Sequence, residues 1–184
     1  MHIETQEYKG HFFEIFHDED PMNPRTEWDN LGTIVCFHKR YNLGDKHDYR
    51  SDDYNSFDEL FEAIKEDHPD AVILPVYMYD HSGITINTTG FHCPWDSGQI
   101  GWIFMDRKTG KENWPDAEDL DQKIKDCLIA EIAIYDQYLS GEVYGFILDK
   151  DTETEESCSG FFGMDYMIDE VHSIIDHRKK LTTA

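Results

Sequence analysis

The chain has 184 residues, 39% of them hydrophobic and 14% aromatic, and carries 39 Asp and Glu against 16 Lys and Arg, a formal net charge of -23. That apolar content excludes a disordered acidic tail, and no apolar run approaches the roughly 18 residues of a membrane-spanning helix. The charge argues against direct nucleic-acid binding, which takes a basic patch or stripe, and the length suits a single domain over residues 1–184 with a core of its own.

Residues 2–17 alternate in polarity around Lys9-Gly10 and predict a hairpin ending in HFFEIF. The acidic, proline-containing residues 18–30 predict a loop, residues 31–39 (LGTIVCFHK) a strand, and the Asp- and Tyr-rich residues 40–55 a second loop. Ser56 and Glu59 form a capping box, so a helix begins there. Phe57, Leu60, Phe61 and Ile64 give it one apolar face, and Pro69 ends it. Residues 71–79 (AVILPVYMY) are apolar nearly throughout and predict a central strand, with a bulge at Pro75. Residues 83–89 and 98–105 predict two further strands, with the loop GFHCPWDS between them.

Pro115 predicts the start of the longest helix, which runs to about Leu139 with Gly141 as its C-cap. Leu120, Ile124, Leu128, Ile132, Tyr135 and Leu139 form its inward stripe. Residues 142–149 and 155–162 predict a hairpin around an acidic turn, and a last helix is expected from about Asp165 to Lys180. Met167, Ile168, Val171, Ile174 and Ile175 face inward on it, and Arg178, Lys179 and Lys180 fall where the helix dipole favours cations. This order predicts an α+β fold, a mostly antiparallel sheet with three helices packed on it in a single domain. The short links between strands argue against repeated βαβ units.

The opening MHIETQEYKG lacks a basic segment followed by an apolar run, so no signal peptide is expected and the expected location is the cytoplasm. The four cysteines, Cys36, Cys93, Cys127 and Cys158, are scattered without a CxxC pair and are expected to be free thiols.

Residues 45–70 hold ten acids: Asp45, Asp48, Asp52, Asp53, Asp58, Glu59, Glu62, Glu66, Asp67 and Asp70. Asp58, Glu62 and Glu66 fall at i, i+4 and i+8, about 5–6 Å apart on one helix face. That separation is close to the spacing of successive phosphates along one nucleic-acid strand. Like charges so placed cost the helix a few tenths of a kcal/mol per pair, roughly. One reading is a polyanion face that mimics a nucleic-acid backbone; the other is a solvated helix face in an acidic protein. A further acidic group sits in the hairpin turn at Glu153, Glu155 and Glu156. No segment fits the calcium-loop pattern.

The segment YMYDHSGITINTTGFHCPWDSGQIGWIF (77–104) gathers His81, Ser82, His92, Cys93, Trp95, Asp96 and Ser97. A catalytic reading makes Cys93 or Ser82 the nucleophile and His81 or His92 the base, oriented by Asp80 or Asp96. The structural reading is a loop braced by a proline, a buried Trp95 and Asp/Ser turn hydrogen bonds. Cys158 in ESCSGFFG resembles the nucleophile of NlpC/P60-type cysteine peptidases, but it falls on the returning arm of a hairpin and His172 and His177 fall on a helix, against that pattern. The ten histidines form no HxxxH or HxH pair, and Walker A, GxGxxG and GxSxG patterns are absent. Neither a metal nor a cofactor is therefore expected, and enzymatic activity is the less favoured reading.

The strings EWDNLGTIVCFHKRYNLGD, ILPVYMYDHSGITINTT, FHCPWDSGQIGWIF and EVYGFILD…ESCSGFFG resemble a family of acidic accessory proteins of phages and plasmids, over about residues 20–165. That family has no assigned activity, so the resemblance transfers no catalytic residue. It implies a mobile-element context, in which small acidic proteins act as anti-restriction and anti-CRISPR inhibitors, several of them DNA mimics.

Charge and context together predict a cytoplasmic inhibitor that binds a basic, nucleic-acid-binding host protein, a CRISPR effector or restriction nuclease. The candidate partner-binding residues are Asp48, Asp52, Asp53, Asp58, Glu62, Glu66, Glu153, Glu155 and Glu156. The alternative is a small hydrolase using His81, His92, Cys93 and Asp96, for which the net charge disfavours phosphate-rich substrates. The oligomeric state is open, with a dimer through an edge strand or the aromatic loop as one arrangement.

Overall fold

The computed structural model describes residues 1–182, and side chains through Arg178, so Lys179 and Lys180 of the expected basic helix end lie outside the described side chains. In chain order the elements are β1 (His2–Tyr8), β2 (His11–His17), α1 (Pro24–Glu27), β3 (Thr33–Cys36), α2 (Phe57–Asp67), β4 (Val72–Asp80), β5 (Ile84–Asn87), β6 (Ser97–Met105), α3 (Arg107–Asn113), α4 (Leu120–Ser140), β7 (Val143–Leu148), β8 (Glu156–Phe162) and α5 (Met164–Thr182), with a 3-10 turn at Ser51–Asp53. The fold is α+β and every strand pairing is antiparallel. Among the described residues the strands form two four-stranded sheets rather than the one expected, and five helices replace the expected three. The chain divides into two compact units, one made of Met1–Met22 with the chain from Gln137 onward, the other of Asn23–Asp136.

In the first unit the sheet order is β1-β2-β7-β8. The β1–β2 hairpin turns on two residues, Lys9 and Gly10, both with positive φ (51° and 86°), the backbone that a two-residue turn needs to match strand twist. Alternation sends Phe13 and Ile15 of β2, and Phe146 and Leu148 of β7, to one face. Met167, Val171 and Ile175 of α5, spaced four apart, close over them in a single core.

In the second unit the order is β3-β6-β4-β5. The bulge between β4 and β6 lies at Val76/Tyr77, not at Pro75, which pairs in register with Trp102. β5 covers only Tyr77–Asp80 of β4, so the stretch around Pro75 has an open side where a residue without an N–H is tolerated. Gly101 of β6 lies so close to β3 that a Cβ there would stand 1.9 Å from the Val35 carbonyl oxygen. Leu60 and Ile64 of α2 bury against Val35 and Phe104, and the Trp102 indole N–H donates to the Phe57 carbonyl at 2.9 Å.

One helix start and two added helices depart from expectation. α4 starts at Leu120 rather than Pro115, because Asp119 is the better cap: its Oδ1 accepts the Gln122 N–H at 3.0 Å. α3 has a polar sequence without an apolar stripe, and meets α4 through Gly110, where a Cβ would stand 2.6 Å from Ile124 Cδ1. α1 lies inside the stretch expected to be loop, with Pro24 at its first turn and the Asn23 side chain accepting the Arg25 N–H at 2.9 Å.

Candidate partner-binding surface and the His81–Asp96 cluster

The acids of α2 are presented by the apolar residues between them. Because Leu60 and Ile64 are fully buried, Asp58, Glu62 and Glu66 are turned out to solvent on the opposite side. Ser56 Oγ accepts the Glu59 N–H at 3.2 Å and Glu59 in turn accepts the Asn55 N–H at 2.8 Å, so Glu59 is spent on the cap. Asp67 is spent on the Tyr49 hydroxyl, which donates to it at 3.0 Å. Asp58, Glu62 and Glu66 have no ion-pair partner among the described residues.

The loop before α2 presents Asp48, Asp52 and Asp53, all exposed. Asp45 is different. It is held by Arg25, whose side chain is 2% exposed. Arg25 Nε donates to Asp45 Oδ1 at 3.0 Å and Nη2 to Oδ2 at 2.5 Å. Nη1 donates to Asn30 Oδ1 at 2.8 Å and to Glu131 Oε2 at 2.7 Å, and Nη2 also reaches the Gly32 carbonyl at 2.7 Å. The acceptors are themselves shared: Asp45 takes the Ile34 N–H, and Glu131 takes the N–H groups of Leu31 and Gly32. Burial alone would lower the Arg25 pKa, but the bonds to Asp45 and Glu131 outweigh it and the shift is upward. This knot ties α1, β3 and α4 to the acidic loop, so Asp45 holds the loop instead of facing a partner.

In the first unit, the turn before β8 places Glu153, Glu155 and Glu156 at the surface. Glu155 accepts the Asp151 N–H at 2.8 Å across a turn in which Asp149 and Asp151 both have positive φ (51° and 61°). Arg178 Nη2 donates to Glu156 at 2.6 Å. Of the three, Glu153 alone has no bond of its own in the turn among the described residues.

The 77–104 segment brings some of its reactive groups together and not others. His81 Nδ1 and the Cys93 thiol both reach Asp96 Oδ2, at 3.2 and 3.9 Å. His81 stacks on Tyr79 at 5.9 Å, and Tyr79 also carries Phe91 at 5.7 Å. Thiol and imidazole thus meet one carboxylate, with no hydrogen bond between them among the described residues. A nucleophile–base pair needs that bond. Asp80 is held by Arg40 and takes the Tyr41 hydroxyl, not His81. Ser82 sits exposed at φ 59° in the tight turn, and His92 is exposed and bonds to none of these groups.

Trp95 corrects the sequence reading. It is 91% exposed, not buried. The loop is closed instead by Ser97 Oγ donating to the Cys93 carbonyl at 2.5 Å and by the Asp80 N–H donating to the Asp96 carbonyl at 2.8 Å, which leaves the indole outside.

All four cysteines are free. Burial, then nearby Asp45, pushes the Cys36 thiol up to about 12, and burial with Glu131 raises Cys127 to about 11, so both stay protonated. Cys158 lies exposed on β8, and His172 is stacked on Tyr8 at 3.8 Å, so the NlpC/P60 arrangement is not assembled. No group of three or more His, Cys, Asp or Glu side chains able to hold a metal occurs among the described residues, and no described helix is long and apolar enough to cross a membrane.

Scans against protein-family models, curated proteins and solved structures found no match to this chain. These comparisons therefore give no support to the expected likeness to acidic phage and plasmid proteins.

Proposed function

We propose that this protein is a non-enzymatic anti-defence inhibitor of a phage or other mobile element, which acts in the host cytoplasm by binding the basic nucleic-acid channel of a CRISPR effector or restriction nuclease. The observation that carries the reading is the α2 face. Asp58, Glu62 and Glu66 stand in a row, exposed and without ion-pair partners among the described residues, on a helix anchored by fully buried Leu60 and Ile64. Like charges in a row cost helix stability unless something cationic meets them. Asp48, Asp52 and Asp53 extend the negative surface within the same unit. A partner evolved to grip a phosphate backbone offers Lys and Arg at comparable spacing, and the attraction accelerates encounter most at low salt.

Replacing Asp58, Glu62 and Glu66 together by Lys is expected to weaken partner binding about tenfold or more, mainly through slower association. All three side chains are exposed, so far-UV circular dichroism and the unfolding midpoint should stay close to wild type. Wild-type inhibition by the folded triple variant would remove this face from the interface.

The hydrolase reading has one observation in its favour, the His81–Asp96 contact. It predicts that His81→Ala abolishes function while the triple reversal leaves it intact, the opposite of the pattern expected for an acidic inhibitor.

A further inference from the structure

The second unit holds a cleft of about 1390 Å³. Its wall carries Lys39, Lys46, His38 and His47. Lys39 and Lys46 make no ion pair among the described residues, so their ammonium groups are open to a ligand in the cleft. Deeper in the cleft Arg25 and Asp45 satisfy one another, so neither is open to a ligand. The other carboxylates of the wall are Asp48 and Asp52, both exposed. Phe37 and Tyr41 also line it, Phe37 edge-on to His47 at 5.5 Å and Tyr41 stacked on His38 at 5.1 Å.

We propose that this cleft binds a small phosphate-bearing molecule with a planar or apolar body. Lys39 and Lys46 hold its phosphates as point charges, His38, whose Nδ1 accepts the Arg40 N–H, offers its Nε2–H as a further donor, and Phe37 and Tyr41 face its body. The net charge of -23 does not forbid this. At physiological ionic strength charges beyond about 8 Å are largely screened, so the anion feels the two lysines and the two nearby aspartates rather than the whole surface. Ligand clefts span about 300–1,000 Å³, so there is room for a nucleotide-sized body.

Titration calorimetry with ADP and with pyrophosphate, in the absence of divalent metal, tests the site. Saturable one-to-one ADP binding is expected with a Kd below about 1 mM. Lys39→Gln with Lys46→Gln should weaken it about tenfold or more, and Asp48→Asn with Asp52→Asn should strengthen it by removing the neighbouring repulsion. Absence of saturable ADP binding, or wild-type affinity in the double-lysine variant, would overturn the site. Pyrophosphate binding as tightly as ADP would overturn the role given to the aromatic wall. The aspartate pair also separates this site from the inhibitor reading, because the same two changes should tighten ADP binding and weaken capture of a basic protein.

Discussion

Arg25→Met is expected to destabilise the protein by about 3–5 kcal/mol, the range for breaking a buried ion pair by removing one partner. The side chain is 2% exposed and is the meeting point of Asp45, Glu131, Asn30 and the Gly32 carbonyl. Methionine fills much of the volume but leaves two carboxylates, 17% and 12% exposed, without their cation. The loss should appear in urea unfolding as a lower midpoint with an unchanged slope. A functional consequence follows from the same geometry. Asp45 pins the loop that carries Asp48, Asp52 and Asp53, so the variant should also bind its partner less well at temperatures where it is still folded. A midpoint within experimental error of wild type would show that the knot contributes nothing net.

Gly101→Ala is expected to cost more than about 3 kcal/mol or to prevent folding, because overpacking here has no soft neighbour to displace. The added Cβ would stand 1.9 Å from the Val35 oxygen and 2.9 Å from the Cys36 Cα, both backbone atoms of β3. β3 would have to leave β6 and take Val35 out of the core beneath α2. Gly98→Ala in the same strand is the control, since nothing lies within 4 Å of its Cβ position. Thermal unfolding should separate them widely, at about 2–4 °C per kcal/mol for a chain of this size. Equal melting of the two variants would contradict the close approach of β3 to β6.

Much of the element order was legible because each element carried its own local signal. Lys9-Gly10 supplies the two positive-φ residues of a hairpin, Ser56 supplies a cap, and the α4 stripe of Ile124, Leu128, Ile132 and Tyr135 is buried as its spacing requires. What was illegible depends on partners remote in sequence. β2 pairs with β7 across most of the chain, so no local pattern reveals that the strands divide into two sheets. α3 packs through a glycine in a polar sequence, and periodicity does not register a glycine contact.

The candidate surface shows the same division. That Asp58, Glu62 and Glu66 share a face follows from helix geometry, and the structure leaves them exposed. That Asp45 is consumed by Arg25, 20 residues away, follows from nothing local. Glu155 and Glu156, expected on the partner-binding surface, are engaged within the fold, one by a turn amide and the other by Arg178. Trp95 was misplaced because a loop has no periodicity to tell a buried indole from an exposed one; its neighbours Pro94 and Asp96 are also exposed.

The inhibitor reading is tested most directly by immobilising the protein, applying bacterial lysate at low salt, and eluting in parallel with a salt gradient and with duplex DNA. The expected result is a basic, nucleic-acid-binding nuclease that leaves the column at moderate salt and is displaced by DNA, because acids and phosphates compete for the same cations. A captured protein that stays bound through about 1 M salt, where the screening length falls to about 3 Å, and that DNA does not displace, would contradict nucleic-acid mimicry. So would the absence of any retained basic protein.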